Sequence, residues 1–219
     1  DCFDRLVYNQ FASHQFYKFS LMKLRLLIIL AASLVTIGAG NADSGKNKVA
    51  TCAACHGQDG NSMVGLWPSL AGQNTNYLVR QLQHIKSGKR SIDVMVGLLD
   101  NFSKEDLEDI AAFYASKKNT IGQVDADKVE LGRKLYYSGS LEKGIPACTA
   151  CHSPKGNGNA PAGYPLLSGQ QAEYIAKSLK NYRSGERDND ESSQMMMAIA
   201  YKLDDVEIEA LSSFINGLH

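Results

Sequence analysis

Two five-residue runs in this 219-residue chain combine a pair of thiols with an imidazole: Cys52-Ala-Ala-Cys55-His56 and Cys148-Thr-Ala-Cys151-His152. One turn of helix would set both sulfurs and the ring against the same face of a flat macrocycle. The thiols can then form thioethers to the two vinyl groups of haem while the imidazole meets the iron. A lone Cys-x-x-Cys would suit zinc or thiol redox chemistry as well. Here each motif carries its own His and sits in its own copy of a repeat, which disfavours a zinc site built from all four cysteines or from a Cys–His mixture. The spacing predicts two covalently bound c-type haems, attached at Cys52, Cys55, Cys148 and Cys151, with His56 and His152 as iron ligands.

The sixth iron position separates electron transfer from catalysis. A methionine thioether is a soft ligand that fills it and raises the potential. The first copy offers Met63 and Met95, the second Met195, Met196 and Met197. Repeat register chooses among them. Cys52 recurs at Cys148, Pro68-Ser-Leu-Ala-Gly-Gln73 at Pro165-Leu-Leu-Ser-Gly-Gln170, Tyr77 at Tyr174, and Gly88-Lys-Arg90 at Gly185-Glu-Arg187. The closing stripe Phe102, Leu107, Ile110 and Phe113 then matches Leu203, Ile208, Leu211 and Phe214 at a displacement larger by about four residues, absorbed in the polar run Asp188-Asn-Asp-Glu191. Insertions in polar loops cost little. This register pairs Met95 with Met196, each seven residues before its matched apolar position. Met195 and Met197 remain the neighbouring alternatives, and packing in the core is the expectation for those two and for Met63.

The elements that must hold these groups read as helices. Apolar Tyr77, Leu78, Leu82 and Ile85 recur at helical spacing over residues 76–87. Ser103 is placed to cap a helix with acidic residues in its first turn and Leu107, Ile110, Ala111 and Tyr114 as its buried stripe. Asp204 or Asp205 caps the matching helix in the second copy, and residues 129–137 form another before the second haem motif. No run of period-two strand appears. The Pro68 and Pro165 carbonyls are candidate acceptors for the second ring nitrogens of the two histidines. Tyr77, Tyr174, Arg90 and Arg187 recur as candidates to bond haem propionates, the facing copy or solvent. His84 is expected on an exposed helix face, and His219 has no evident partner.

Residues 22–42, MKLRLLIILAASLVTIGAGNA, place Lys23 and Arg25 before a short apolar run that ends in small residues, the layout of a secretory signal segment with cleavage expected after Ala42. The apolar run is short for a membrane span. Met22 is the sensible start, so residues 1–21, with Cys2 and His14, are expected to be upstream sequence outside the working protein. The divisions read as 43–118 for a first domain, 119–127 for a linker and 128–219 for a second domain. Balanced charge, 23 basic against 23 acidic residues, argues against nucleic acid as a partner.

The ordered combination Cys-Ala-Ala-Cys-His-Gly, Pro-x-Leu-Ala-Gly-Gln followed by Tyr-Leu, Met-x-Gly-Leu-Leu-Asp-Asn, and Pro-Ala-Cys-Thr-x-Cys-His-Ser-Pro resembles the di-haem cytochrome c4 family. The resemblance implies an all-α protein of two tandem class I cytochrome c domains related by pseudo-twofold symmetry, with axial pairs His56–Met95 and His152–Met196. It also implies a periplasmic carrier, often loosely associated with the membrane, that moves electrons from a respiratory-chain donor to a terminal oxidase and is not itself an enzyme. An alternative is the cytochrome subunit of an enzyme complex such as a flavocytochrome c sulfide dehydrogenase. A di-haem peroxidase needs one open sixth position, and a candidate Met in both copies argues against it. The sequence shows no obvious large apolar docking patch.

Overall fold

The computed structural model describes residues 40–219. The expected upstream segment, and the expected signal segment up to residue 39, lie outside the described residues. Among the described residues every named element is helical, and the only bridges are the isolated pairs Ser140–Ile145 and Asn159–Tyr164. The first half contains α1 (Ala42–Lys46), α2 (Ala50–His56), α3 (Thr75–Lys86), a 3-10 turn over Asp93–Met95, and α4 (Lys104–Ala115). The second contains α5 (Val129–Ser138), α6 (Thr149–His152), α7 (Ala172–Ser184), α8 (Glu191–Ala200) and α9 (Asp205–Asn216).

Local chemistry sets several of these boundaries. Ser103 caps α4 in a reciprocal box with Asp106, and Asp204 caps α9 in the same way with Glu207. Each box satisfies two otherwise orphaned N–H groups at a helix start. The expected helix over residues 129–137 is α5. In contrast, the run Asp188–Glu191 is more than a tolerant loop. Asp190 accepts from Ser193 N and starts α8, so the four extra residues of the second half become the entry to a helix where the first half has only a 3-10 turn.

Each half closes around its own apolar core. Leu78, Leu99, Leu107, Ile110, Phe113 and Tyr114 form one, with α1 and α3 both packed on α4. Leu135, Tyr136, Ile175, Ile208, Leu211 and Phe214 form the other, with α5 and α7 packed on α9 and α8 on α7.

Residues that recur in the sequence bond one another reciprocally across the halves. Gln170 accepts from Ser69 N at 2.8 Å and donates to Ser69 O at 2.9 Å. Its counterpart Gln73 accepts from Leu166 N at 2.8 Å and donates to Leu166 O at 2.9 Å. Arg90 donates to Tyr174 Oη at 3.1 Å, and Arg187 donates to Tyr77 Oη at 2.8 Å. Residue i meeting j while the counterpart of j meets that of i is the signature of a twofold relation, and here it operates inside one chain. The segment between the halves is bonded to both: Thr120 N donates to Asn61 Oδ1 at 2.8 Å, and Gly122 N to Asn216 O at 2.9 Å.

Candidate haem site

A helix carries each Cys-x-x-Cys-His motif, α2 in the first half and Cys148 with α6 in the second. The following loop folds back over the His. Gly60 and Gly156, both at positive φ, each receive two backbone N–H groups on one carbonyl, from Leu70 and Ala71 and from Leu167 and Ser168. A Cβ at Gly60 would sit 2.6 Å from the Tyr114 ring and 2.8 Å from Ala71 N, so the turn requires glycine. These folded loops bring the proline carbonyls to the imidazoles. His56 Nδ1–H donates to Pro68 O at 2.8 Å and His152 Nδ1–H to Pro165 O at 3.1 Å. The bonds fix the tautomer and leave Nε2 with its lone pair free for a metal. Both histidines are buried, and burial lowers both pKa values against the opposing pull of the carbonyl, which keeps each ring neutral.

All four cysteines of the motifs are half-buried and none is paired in a disulfide. Burial pushes the Cys148 thiol up to about 11 and raises that of Cys52. Zinc binding and thiol redox chemistry both call on thiolate, which burial disfavours at Cys52 and Cys148. No group of three or more His, Cys, Asp or Glu is gathered in metal-binding geometry among the described residues.

A single cavity of about 880 Å³ is lined by both motifs. Met95, Met195 and Met196 line it; Met63 and Met197 do not. Met63 is 94% exposed, so the expectation that it packs in the core is corrected: it stands in solvent. Met95 packs against the first core and Met196 against the second. Arg90, Arg187, Tyr77, Tyr174 and Tyr182 line the same cavity where the halves meet.

That arginine pair tests whether the cavity suits an acidic macrocycle. Arg187 is buried, its Nε has no partner, and its bonds run to Tyr77 Oη at 2.8 Å and Gln81 Oε1 at 3.5 Å. Arg90 bonds Gln81 and Tyr174. Neither guanidinium meets a carboxylate among the described residues. Burial would raise the Tyr174 phenol, yet Arg90 and Arg187 outweigh it and hold it below its ordinary range. Buried positive charge with only neutral partners is costly, and a cavity that supplies it fits a cofactor bearing carboxylates.

Two comparisons decide the family. The Cytochrome c family model matches residues 129–219, and the model described as Cytochrome C oxidase, cbb3-type, subunit III matches residues 41–113. Cytochrome c4 of Azotobacter vinelandii is 48% identical over 203 residues, covering 89% of this chain and 97% of the relative. The chain belongs to the cytochrome c4 family. The crystal structure of reduced recombinant cytochrome c4 from Pseudomonas stutzeri superposes with a TM-score of 0.81 at 48% identity, covering 83% of this chain and all of that one. A thiosulfate dehydrogenase electron acceptor of Stutzerimonas stutzeri is 34% identical over 198 residues, covering 84% of this chain and 90% of the relative. As a cytochrome c4, the chain is an all-α di-haem electron-transfer protein with two tandem cytochrome c domains and two covalently bound c-type haems.

Three site features escaped the sequence. The recurrent Arg and Tyr residues bond one another across the halves, and repetition alone could not say whether they met haem, the other half or solvent. His84 is not on an exposed face: its side chain is 13% exposed and lies 3.8 Å from Asp190 of the second half. An apolar rim was also missed, because Leu66, Val94 and Leu98 line the cavity while remaining 53%, 69% and 43% exposed. His219 Nδ1–H meets only its neighbour Gly217 O, at 3.0 Å.

Proposed function

We propose that this cytochrome c4 is a periplasmic shuttle that takes electrons from a respiratory-chain donor and delivers them to a terminal oxidase, with His56 and Met95 as axial ligands in the first half and His152 and Met196 in the second. The observation that carries the reading is the shared cavity, onto which each half turns one Nδ1-tethered His and one core-packed Met. Bound there, haem supplies one-electron chemistry at iron. The chain supplies the rest. The cysteines would hold the group covalently, the proline carbonyls orient the imidazoles, and Met95 and Met196 would supply the second ligand to each iron, a soft thioether that favours the reduced state. The segmental layout in residues 22–42 supports export, and domains 43–118 and 128–219 with a joining segment 119–127 are the working units. No helix among the described residues is long and apolar enough to cross a membrane, and any loose membrane association would use the surface.

The test is redox-titrated absorbance on the haem-loaded protein, with Met95→Ala and Met196→Ala beside it. Two haems per chain are expected, each with a near-infrared Met–iron band, and each substitution should remove one band and lower one potential. Unchanged spectra in either variant would overturn that ligand.

A second reading has a specific observation behind it. Relatives named as electron acceptors of thiosulfate dehydrogenase are similar over most of the chain, and a thiosulfate dehydrogenase of Marichromatium purpuratum superposes at a TM-score of 0.70 and 28% identity over 81% of this chain and 40% of that one. The chain would then accept electrons from a sulfur-oxidising enzyme, thiosulfate- or sulfide-directed, instead of a respiratory donor. Reduction of the protein by such an enzyme faster than by respiratory membranes would favour this reading.

A further inference from the structure

Asp190 occupies a position with no counterpart in the first half. One carboxylate oxygen caps α8, accepting from Ser193 N at 2.8 Å and Ser193 Oγ at 3.1 Å. The other faces α3 of the first half, 3.2 Å from Arg80 Nε and 3.8 Å from His84 Nδ1. Arg80 is itself held in place, donating through Nη2 to Gly163 O at 2.9 Å. Asn189 adds a bond from the same loop to Lys89 O at 2.6 Å. The side chains of Arg80, His84 and Asp190 are 28%, 13% and 22% exposed, so the group is largely withdrawn from solvent.

The helix that Asp190 starts is the one that carries Met196, six residues further along. In the first half Met95 ends a 3-10 turn whose preceding residue, Ile92, makes no side-chain cap. The inserted run Asp188–Glu191 therefore does two things at once. It turns the Met-bearing segment into a capped helix, and it places the capping carboxylate against a cation from the other half.

We propose that Arg80, although it belongs to the first half, is a positioning residue for the second haem: it holds Asp190, and Asp190 fixes the entry of the helix that presents Met196 to the iron. A side-chain cap stabilises a helix start, and α8 is only 10 residues long, so its first turn depends on that anchor. Arg80 also neutralises the carboxylate where it is partly desolvated. Ligation in the second half is thus linked to the seating of the two halves on each other. The proposal rests on the assignment of Met196 as an axial ligand, and the experiment separates the two.

The haem-loaded protein is compared with Arg80→Gln, Asp190→Asn, the double variant and Met196→Ala. Asparagine keeps an oxygen for the cap and loses the charge, so the helix can still form. In Arg80→Gln and Asp190→Asn the second haem's near-infrared band is expected to weaken or shift and its midpoint potential to fall. The first haem's band and potential should stay as in the parent. Amide exchange at Ser193–Met196 should quicken about fivefold, the size expected for loss of one partly buried ion pair, and the double variant should add little to either single one. If Met196→Ala removes the second band but Arg80→Gln leaves band, potential and exchange unchanged, the positioning role is wrong. It is equally wrong if Arg80→Gln disturbs both haems alike, because the arginine would then act as a general charge. If Met196→Ala leaves the second band intact, the ligand assignment itself fails.

Discussion

Ser153 follows His152 directly and holds φ 67° and ψ 159°, a region that residues with a Cβ rarely enter. The matching residue after His56 is Gly57, at φ 81° and ψ 156°. Both halves therefore make the same turn out of the haem motif, one with the residue suited to it and one without. Such strain costs about 1–3 kcal/mol. Ser153 Oγ offsets part of it by accepting from Asn157 N at 3.0 Å, a bond with a net contribution of about 1 kcal/mol. Ser153→Gly should relieve the strain, lose that bond and add about 0.5–1 kcal/mol of chain entropy, a net change between a loss of about 1 kcal/mol and a gain of about 1.5 kcal/mol. Ser153→Ala keeps the strain and loses the bond, so it should destabilise by about 1 kcal/mol. Denaturant unfolding of the three proteins orders them; alanine equal to or above glycine would remove the strain argument. At this scale the sequence announced what repetition could announce. Pro68 and Pro165 were readable as acceptors because they recur beside each motif, and Ser153 was detectable only through the glycine at its matching position.

At the scale of elements, the short α1 is held to α4 by charge. Lys48 Nζ, just after α1, lies 2.6 Å from both Asp106 Oδ1 and Asp109 Oδ2. The Lys48 bond holds both carboxyls below their ordinary range, and the same pair raises Lys48, which stays charged from acid to above neutral pH. A carboxyl depressed in the folded state contributes stability that is complete above its unfolded pKa, about 3.9, and is lost as pH falls through the folded value. Lys48→Met should therefore lower the melting temperature at pH 7, and the gap from the parent should narrow as pH drops below about 4. A gap that stays constant down to pH 2 would contradict the linkage. Neither α1 nor α8 was legible beforehand, whereas α3, α4, α5 and α9 were. Apolar residues at helical spacing or a Ser or Asp with an acidic residue three positions on mark the latter group. α1 has only five residues with a glycine among them, and α8 runs through Ser192, Ser193 and three consecutive methionines, which leaves no clear stripe. What makes α8 a helix is the Asp190 cap and its partner 110 positions earlier in the chain, at Arg80, a relation outside the reach of local pattern.

For the whole molecule, the twofold relation holds in the reciprocal side-chain bonds between the halves but breaks at the cavity rim. Leu66, Val94 and Leu98 are 53%, 69% and 43% exposed in the first half. Their counterparts by repeat register line the same cavity but are more covered: Gly163 is buried, Met195 is 46% exposed and Ile199 is half-buried. It breaks also in the elements that carry the methionines: Met95 ends an uncapped turn, whereas Met196 sits on a helix clamped from the other half. A firmly held Met raises the potential of its centre. A symmetric pair of haems would titrate in one wave; this arrangement predicts two, with the first half at the lower potential, so that an electron entering there runs downhill into the second. Potentiometric titration of the parent, Met95→Ala and Met196→Ala assigns the waves. Met95→Ala should move the lower wave and Met196→Ala the upper one, each downward. If Met196→Ala moves the lower wave, the gradient runs the other way and the firmness of the Met-bearing element does not set it.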